Sequence, residues 1–281
     1  MFRSWFRSAT APQKPVRPIR DIQLNVYNID ALRRQPPNYF DALRFDPNND
    51  CNVHCVYCHN HRSRDAVDSD AFRAFLHENV TEVDTFQMGC IMEPTLDSRM
   101  CELLLVVAAS PARPKSACLV QTNGILLHLH DPLKMRDAGL TRLSISIDSA
   151  DPAIHKALRG GTSLSKVFRN IEAFTRVCSQ IEIHFITTVT RMNVGAMDSL
   201  VSAGLDLGVR HFVMREVFYR PESDVVDHTR MPDLLLRPGE FTRMSTELAA
   251  RFGAGATFEF AERTGLEQSE EKMRIDSLRR Q

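Results

Sequence analysis

Three cysteines lie within eight positions of one short stretch, CNVHCVYCHN, which covers residues 51–60. Three residues separate Cys51 from Cys55, and two separate Cys55 from Cys58. Thiols clustered this closely, in a chain without a disulfide-like framework, are more often metal ligands or catalysts than structural cysteines. The stretch therefore indicates a metal centre to which the chain contributes three thiolates.

Two kinds of centre fit three thiolates, and the residues by themselves leave both open. Zinc prefers four tetrahedral ligands, and the fourth would come from a neighbouring histidine, His54, His59 or His61. An iron–sulfur cube also takes four ligands, so three cysteines would leave one iron open to bind another molecule. The unequal spacing favours a loop that wraps three corners of a cube.

The elements that would position this loop follow from alternating strand and helix patterns, which begin near residue 40. Six segments rich in Val, Ile, Phe and Thr predict strands: Phe40–Phe45, Thr85–Met88, Cys118–Thr122, Arg142–Ile147, Ile181–Thr190 and Val209–Val217. Helical spacing lies between them, as at Val167, Ile171 and Phe174. Such alternation predicts parallel strands with right-handed crossovers. The cysteines then follow the first strand at its carboxyl end, where barrels carry their active sites.

The predicted strands are apolar on one face only. In RLSISIDS, residues 142–149, Ser144, Ser146 and Asp148 share the face opposite the leucine and isoleucines. The segment IEIHFITTVT at 181–190 alternates in the same way. Since a strand between two helix layers would be apolar on both faces, the polar face predicts a lumen that holds a polar ligand. We expect an α/β fold, a partial (β/α)6 TIM-like barrel with parallel strands and a polar lumen.

We predict three regions along the chain. Residues 1–36 form a basic N-terminal arm that also resembles a transit peptide, but its prolines interrupt any long amphipathic helix and favour a flexible arm. Residues 37–220 form the barrel. Residues 221–281 form a charged helical segment that packs on or near the barrel.

The composition limits the classes of function. Lys and Arg total 35, as do Asp and Glu, and the resulting zero net charge argues against a nucleic-acid partner. The longest apolar run, Leu103 to Ala109, is too short for a membrane-spanning helix. The seven cysteines follow no secretory signal, which is typical of a reducing compartment. We expect a cytoplasmic protein without a membrane or nucleic-acid partner.

The cysteine stretch resembles the signature of the radical S-adenosylmethionine (radical SAM) superfamily, Cys-x₃-Cys-x-aromatic-Cys after the first strand, with Tyr57 as the aromatic residue. Four later segments resemble the family in the same order: GCIMEPTLD (89–97), QTNG (121–124), SISIDSADPAIHKALRG (144–160) and TTVTRMN (187–193). Cys90, Ile91 and Met92 depart from the pattern, since the family often has glycines there. We expect these side chains to tighten the cofactor pocket.

The resemblance implies a single-cluster enzyme. Cys51, Cys55 and Cys58 would ligate three irons of a [4Fe–4S] cluster, and the open iron would bind S-adenosyl-L-methionine. Its reductive cleavage would give methionine and a 5′-deoxyadenosyl radical that takes a hydrogen atom from an unidentified substrate, a peptide, a protein or a small biosynthetic intermediate. Only Cys178 lies beyond residue 118, so the chain lacks cysteines for auxiliary clusters. The resemblance therefore implies an external electron donor such as a flavodoxin or ferredoxin.

Four further residues acquire roles through the resemblance. Glu93 would accept from the methionine amine of the cofactor or hold its own loop by hydrogen bonds. Ser146 and Asp148 would bind the ribose hydroxyls, although Asp148 also suits a helix N-cap. Arg159 would pair with the cofactor carboxylate, because a guanidinium offers two parallel donors.

More distant candidates follow from the same segments. Tyr57 would stack near the adenine, and Asn193, at the end of the fifth strand, would contact the cofactor. His184, Arg215 and Glu216 are candidate substrate contacts on the later strands, with a role in the core or at the rim as the alternative.

The remaining cysteines and the competing functions complete the prediction. Cys101, Cys118 and Cys178 lie in apolar patterns and read as buried structural residues, whereas Cys90 is close to the predicted site. The alternatives are a non-catalytic barrel that binds the cluster without turnover, an activase for a glycyl-radical enzyme that docks through the basic arm, and a zinc-stabilised module.

Overall fold

The computed structural model describes residues 21–24 and 39–262, which form one eight-stranded sheet with its strands in chain order. Every neighbouring pair of strands is parallel. The strands are β1 (Asp21–Leu24), β2 (Tyr39–Phe45), β3 (Glu82–Met88), β4 (Pro114–Thr122), β5 (Arg142–Ser146), β6 (Glu182–Val189), β7 (His211–Glu216) and β8 (Thr257–Ala261). This open parallel sheet confirms the predicted α/β partial barrel.

Helices connect the strands and cover one face of the sheet. In the described part of the chain they are α1 (Ser69–Asn79), α2 (Met100–Ala108), α3 (Pro132–Asp137), α4 (Pro152–Arg159), α5 (Leu164–Val177), α6 (Met197–Asp206), α7 (Met231–Leu234) and α8 (Glu240–Phe252). Their sequences carry start and stop signals: Asp151 caps the N-terminus of α4, and Gly160 ends that helix with φ +53°. None of these helices has the length and apolar content needed to cross a membrane.

The hydrophobic core lies between the sheet and the helices. Phe45 of β2 stacks on Phe72 of α1 with ring centroids 3.9 Å apart, and Phe185 of β6 meets the edge of Phe212 on β7. The opposite face of the strands is polar, because Ser144 and His184 pair in register there and are both buried. The polar lumen predicted from the strand pattern is thus present.

All six predicted strands occur, and two more extend the sheet. β1 falls within the segment predicted as the N-terminal arm; residues 1–20 and 25–36 of that arm lie outside the described residues. β8 belongs to the segment predicted as helical, where α8 is followed by a strand that pairs with β7 in parallel. Thr257, Glu259 and Ala261, which face outward from β8, are exposed. The sequence of this edge strand therefore contains no long apolar run that would predict it.

Candidate active site

The carboxyl ends of the strands border a cavity of about 930 Å³. The loops after β2, β3 and β4 form one wall, and the ends of β5 to β8 form the other. Cys51, Cys55 and Cys58 line the first wall. A cavity of this size suits a ligand of cofactor dimensions, because such sites commonly measure roughly 300–1,000 Å³.

The cysteine loop is held at its base and at its tip. At the base, the backbone N–H of Asn49 donates to the carbonyl of Asp65 at 2.9 Å, which closes residues 50–64 into one loop. At the tip, Val56 N–H donates to the carbonyl of Leu158 in α4, also at 2.9 Å. A side chain at Gly160 would bring Cβ within 2.4 Å of the His54 carbonyl oxygen. The loop therefore packs directly against the C-terminal end of α4, and position 160 has no room for a side chain.

The three thiols fit a cube better than a single zinc ion. Tetrahedral zinc with Zn–S bonds of about 2.3 Å places sulfurs roughly 3.8 Å apart. Among the described residues, the one group of three possible ligands within 4.8 Å of one another lies elsewhere, so the thiols are more widely spread. Of the neighbouring histidines, His59 faces the carbonyl of Phe218 and His61 pairs with Asp224 at 2.7 Å. A centre with one open corner matches this donor set.

The surroundings of the thiols determine how easily they lose a proton. Burial raises the pKa of Cys55 to about 11; Arg159 opposes this shift, while Asp148 and the other two thiols add to it. Burial also raises the pKa of Cys51. Metal ligation requires the thiolate, so binding at this loop displaces protons and becomes stronger as pH rises.

Glu93 joins the loops that follow β3 and β4. Its Oε1 accepts from Thr95 N–H at 3.1 Å, from the Thr95 hydroxyl at 2.5 Å and from the Thr122 hydroxyl at 2.6 Å, while Oε2 accepts from Asn123 N–H at 2.7 Å. Burial raises the pKa of Glu93, and these donors oppose the rise. Asn48 donates to the Glu93 carbonyl at 3.0 Å. Two roles were predicted for Glu93, accepting from the methionine amine or holding its own loop by hydrogen bonds. The contacts in the structure are those of the second role.

Asp46 is a site residue that sequence reasoning missed. Its Oδ1 accepts from three consecutive backbone N–H groups, those of Cys90 at 2.8 Å and of Ile91 and Met92 at 3.2 Å. This carboxylate fixes the loop where the family often has glycines. The available signal was an aspartate directly after a buried strand, at the edge where neighbouring loops converge.

A buried network of charges lies behind the cysteine loop. Asp148 is fully buried, and its Oδ1 accepts from Arg159 Nη2 and from Thr188 N–H, both at 3.0 Å. Arg159 Nε lies 2.9 Å from Oδ2 without the alignment of a hydrogen bond, and the Tyr57 hydroxyl donates to the same oxygen. Burial lowers the pKa of Arg159, but the attraction of Asp148 outweighs it and leaves that pKa raised.

Asn193 ties the ends of β5 and β6 together. Its amide donates to the carbonyls of Asp148 at 2.7 Å and Thr188 at 2.9 Å, and its Oδ1 accepts from Thr190 N–H at 2.6 Å. His155 Nδ1 faces Asp148 N–H at 3.4 Å. Neither Asp148 nor Asn193 lines the cavity, whereas Tyr57, Glu93, Ser146 and Arg159 do.

The wall opposite the cysteines carries the candidate substrate contacts. Arg215 and Glu216 line the cavity at the end of β7, followed by Phe218 and Tyr219. Arg215 is exposed, and its guanidinium makes no hydrogen bond or ion pair with any other described residue. It is therefore a cationic group available to a bound molecule.

The remaining candidates lie in different places. His184 is near the amino end of β6, away from the cavity lining. Cys101, Cys118 and Cys178 are buried, and none of them lines the cavity. Cys90 does line it, with its Sγ 3.8 Å from the Gln87 carbonyl oxygen.

Comparison with known proteins agrees with this arrangement. The family model described as the radical SAM superfamily matches residues 46–203, more than half of the chain. This range begins at Asp46, directly after β2, and ends within α6.

Two curated relatives carry the name GTP 3′,8-cyclase. The probable enzyme of Methanococcus aeolicus is 26% identical over 177 residues, 60% of this chain and 56% of the relative. The enzyme of Yersinia pestis is 28% identical over 155 residues, 51% of this chain and 44% of the relative. The chain thus spans about half the length of these relatives.

Solved structures share the fold at low identity. Streptococcus suis SuiB bound to S-adenosylmethionine gives a TM-score of 0.62 at 15% identity, covering 84% of this chain and 53% of that one. The structure of anSMEcpe with bound AdoMet and the Cp18Cys peptide gives 0.58 at 20% identity, covering 80% and 63%.

Proposed function

Because this chain belongs to the radical SAM superfamily, we propose that it reductively cleaves S-adenosyl-L-methionine at a [4Fe–4S] cluster ligated by Cys51, Cys55 and Cys58, and removes a hydrogen atom from a substrate. The observation that carries the proposal is that three thiols from one loop line a cavity large enough for a cofactor and a substrate. When bound, the cluster supplies the electron for cleavage and leaves one iron to hold the cofactor.

The loop after β3 is the part of the chain that we assign to the methionine end of the cofactor. Asp46 fixes this loop through three N–H groups, and Glu93 ties it to the loop after β4. Because the backbone of this loop is already held from both sides, the loop loses little conformational freedom when the cofactor binds. Glu93 Oε2 accepts one hydrogen bond in the structure and has capacity for a second.

We assign the binding of the other parts of the cofactor to residues of the cysteine loop and of the ends of β5 and α4. Ser146, Arg159 and Tyr57 line the cavity, and we assign to them the ribose, the carboxylate and the adenine, as the resemblance implies. Asp148 and Asn193 act from behind these residues. Asp148 orients Arg159 and Tyr57, and Asn193 holds the backbone of Asp148.

The substrate, we propose, carries an anionic group that pairs with Arg215. A guanidinium that faces a cavity and has no partner in the described part of the chain is suited to a carboxylate or phosphate. The names of the relatives make GTP the first nucleotide to test, and the peptide in the anSMEcpe structure makes acidic peptides the alternative. Radical SAM enzymes need an electron donor, for which we propose a flavodoxin or ferredoxin that docks transiently.

The first experiment is anaerobic reconstitution with iron and sulfide, followed by reduction in the presence of S-adenosyl-L-methionine. We expect about four irons per chain and formation of 5′-deoxyadenosine. Cys55→Ala should lose both, whereas Cys178→Ser, which changes a buried thiol outside the cavity, should keep both. Zinc that is bound in the wild type and lost in Cys55→Ala would refute the proposed cluster, and a stable cluster that never yields 5′-deoxyadenosine would favour the non-catalytic barrel.

The substrate class is tested in the same assay. GTP and acidic peptides are added separately, and the rate of 5′-deoxyadenosine formation and the mass of each candidate are followed. A neutral peptide of equal length is the control. A response to the neutral peptide alone would contradict the role of Arg215.

A further inference from the structure

A second group of metal-ligating side chains lies at the other end of the barrel. Glu182 and His184 are on the lumenal face near the start of β6, and His211 begins β7 directly opposite His184 in register. One ligand atom from each of the three side chains lies within 4.8 Å of the other two. Among the described residues, no other three side chains of these types meet that distance.

The geometry points to a site rather than a chance gathering. His184 Nε2 is 3.2 Å from Glu182 Oε2, close to the separation of two ligands that share one ion at about 2.0–2.2 Å. The imidazoles of His184 and His211 stack at 4.4 Å with an interplanar angle of 15°. His184 is 6% exposed, whereas Glu182 is open to solvent. The group therefore has both a fixed ligand and a path by which an ion enters.

We propose that Glu182, His184 and His211 bind one divalent transition-metal ion of the zinc class. Two imidazoles and one carboxylate form a donor set that suits zinc and its neighbours in the first transition row, and that disfavours calcium or magnesium, which prefer oxygen ligands. With three protein ligands, the ion keeps at least one position for water.

The site is separate from the proposed cluster. Thr188, which lines the cavity, is four residues beyond His184 on the same strand, or roughly 13 Å at about 3.3 Å per residue. An ion at this place would join β6 to β7 at their amino ends. Its presence therefore neither requires nor prevents chemistry at the cysteine loop, and the two proposals can fail independently.

A substitution at Arg142 tests the site by an expected gain in metal affinity. Its Nε lies 3.9 Å from Glu182 Oε2 and, like Glu182 itself, its side chain reaches solvent. The guanidinium competes with a metal ion for this carboxylate and repels the ion. Arg142→Gln should therefore strengthen metal binding, while loss of a ligand weakens it.

The experiment uses the full cluster-free chain with its accessible thiols alkylated, so that they do not bind the probe whether or not a cluster forms there. After treatment with chelator, the protein is dialysed anaerobically against zinc chloride, and zinc is measured by mass spectrometry of the elements. We expect one zinc per chain, and a melting temperature that rises with zinc.

Variants assign the zinc to the site. His184→Ala and His211→Ala should weaken binding at least about tenfold, since even outer-shell changes cost metal sites that much. Glu182→Gln, an exposed and conservative change, covers the case in which a histidine variant fails to fold. His77→Ala removes an exposed histidine on α1 and should bind like the wild type. The proposal would be overturned if the wild type bound no zinc, or if His211→Ala bound as much zinc per chain as His77→Ala.

Discussion

Removing the guanidinium of Arg159 should destabilise the fold far more than removing an exposed charge. The side chains of Arg159 and Asp148 are 8% and 0% exposed, and their contacts measure 2.9 and 3.0 Å. Arg159→Met would leave the Asp148 carboxylate buried, and its hydrogen-bond donors among the described residues would then be the Tyr57 hydroxyl and the Thr188 N–H. Breaking a buried pair in this way typically costs about 3–5 kcal/mol.

That magnitude is a large part of the total stability of a domain, commonly about 5–15 kcal/mol. The measurement is the free energy of unfolding in urea, followed by circular dichroism on the cluster-free chain. Arg136→Met is the matched control, because Arg136 pairs with Asp137 on the surface, with side chains 42% and 60% exposed. Such an exposed pair contributes little to stability, because water and salt screen its charges.

A double-mutant cycle separates the pair from general loss of packing. Asp148→Asn alone leaves the guanidinium buried without its counter-charge, and should also be costly. The double variant, Asp148→Asn with Arg159→Met, removes both charges, so its cost should fall below the sum of the single costs by up to about 3 kcal/mol. Arg159→Lys keeps a charge and should lie between the wild type and Arg159→Met.

Two results would refute this reasoning. If Arg159→Met costs no more than Arg136→Met, the Tyr57 hydroxyl and the Thr188 N–H suffice for the carboxylate. If the two single costs add without coupling, Asp148 and Arg159 contribute through packing and not as an ion pair.

Three further predictions rest on other parts of the site. Burial lowers the pKa of His155 to about 4 in the folded chain, whereas an unperturbed histidine has a pKa of about 6.5. Between these two pH values the unfolded chain binds a proton that the folded chain does not. Up to about 3 kcal/mol of stability is therefore lost as the pH falls from 6.5 to 4. His155→Gln should flatten that loss in urea titrations at several pH values. Arg215→Ala should leave substrate-free 5′-deoxyadenosine formation unchanged while abolishing its response to substrate, both followed by chromatography. Gly160→Ala should cost about 1–3 kcal/mol more than Gly161→Ala, because both have positive φ but only Gly160 meets the His54 carbonyl; equal melting curves would contradict this.

The fold could be predicted in most of its parts because its signals are local. Strand alternation placed β2 to β7, and the helical spacing of α5 placed Val167, Ile171 and Phe174 in the core, where all three are buried. The edge strands β1 and β8 were missed because they are short and pair on one side only. Their formation depends on the backbone groups of β2 and β7, which no local pattern reports.

The cysteine loop was also visible in the sequence, but the residues that hold it were not. Asp46 precedes Cys90 by 44 positions, and Asp148 follows Tyr57 by 91, so neither contact has a local signature. Both aspartates become interpretable only when the parallel sheet brings the carboxyl ends of its strands to one edge. Sequence spacing identifies the ligands of such a site, and topology identifies the residues that hold those ligands in place.

The contrast between Ser146 and Asp148 shows where strand parity stops being informative. Parity assigned both residues to the lumen, and Ser146, the last residue of β5, does line the cavity. Asp148 lies two residues beyond the strand, and its carboxylate pairs with Arg159 outside the cavity lining. The negative charge of Asp148 raises the pKa of Cys55, so Asp148 affects the electrostatics of the cysteine loop without lining the cavity. Alternation therefore predicts side-chain direction within the strand but not in the loop that follows it.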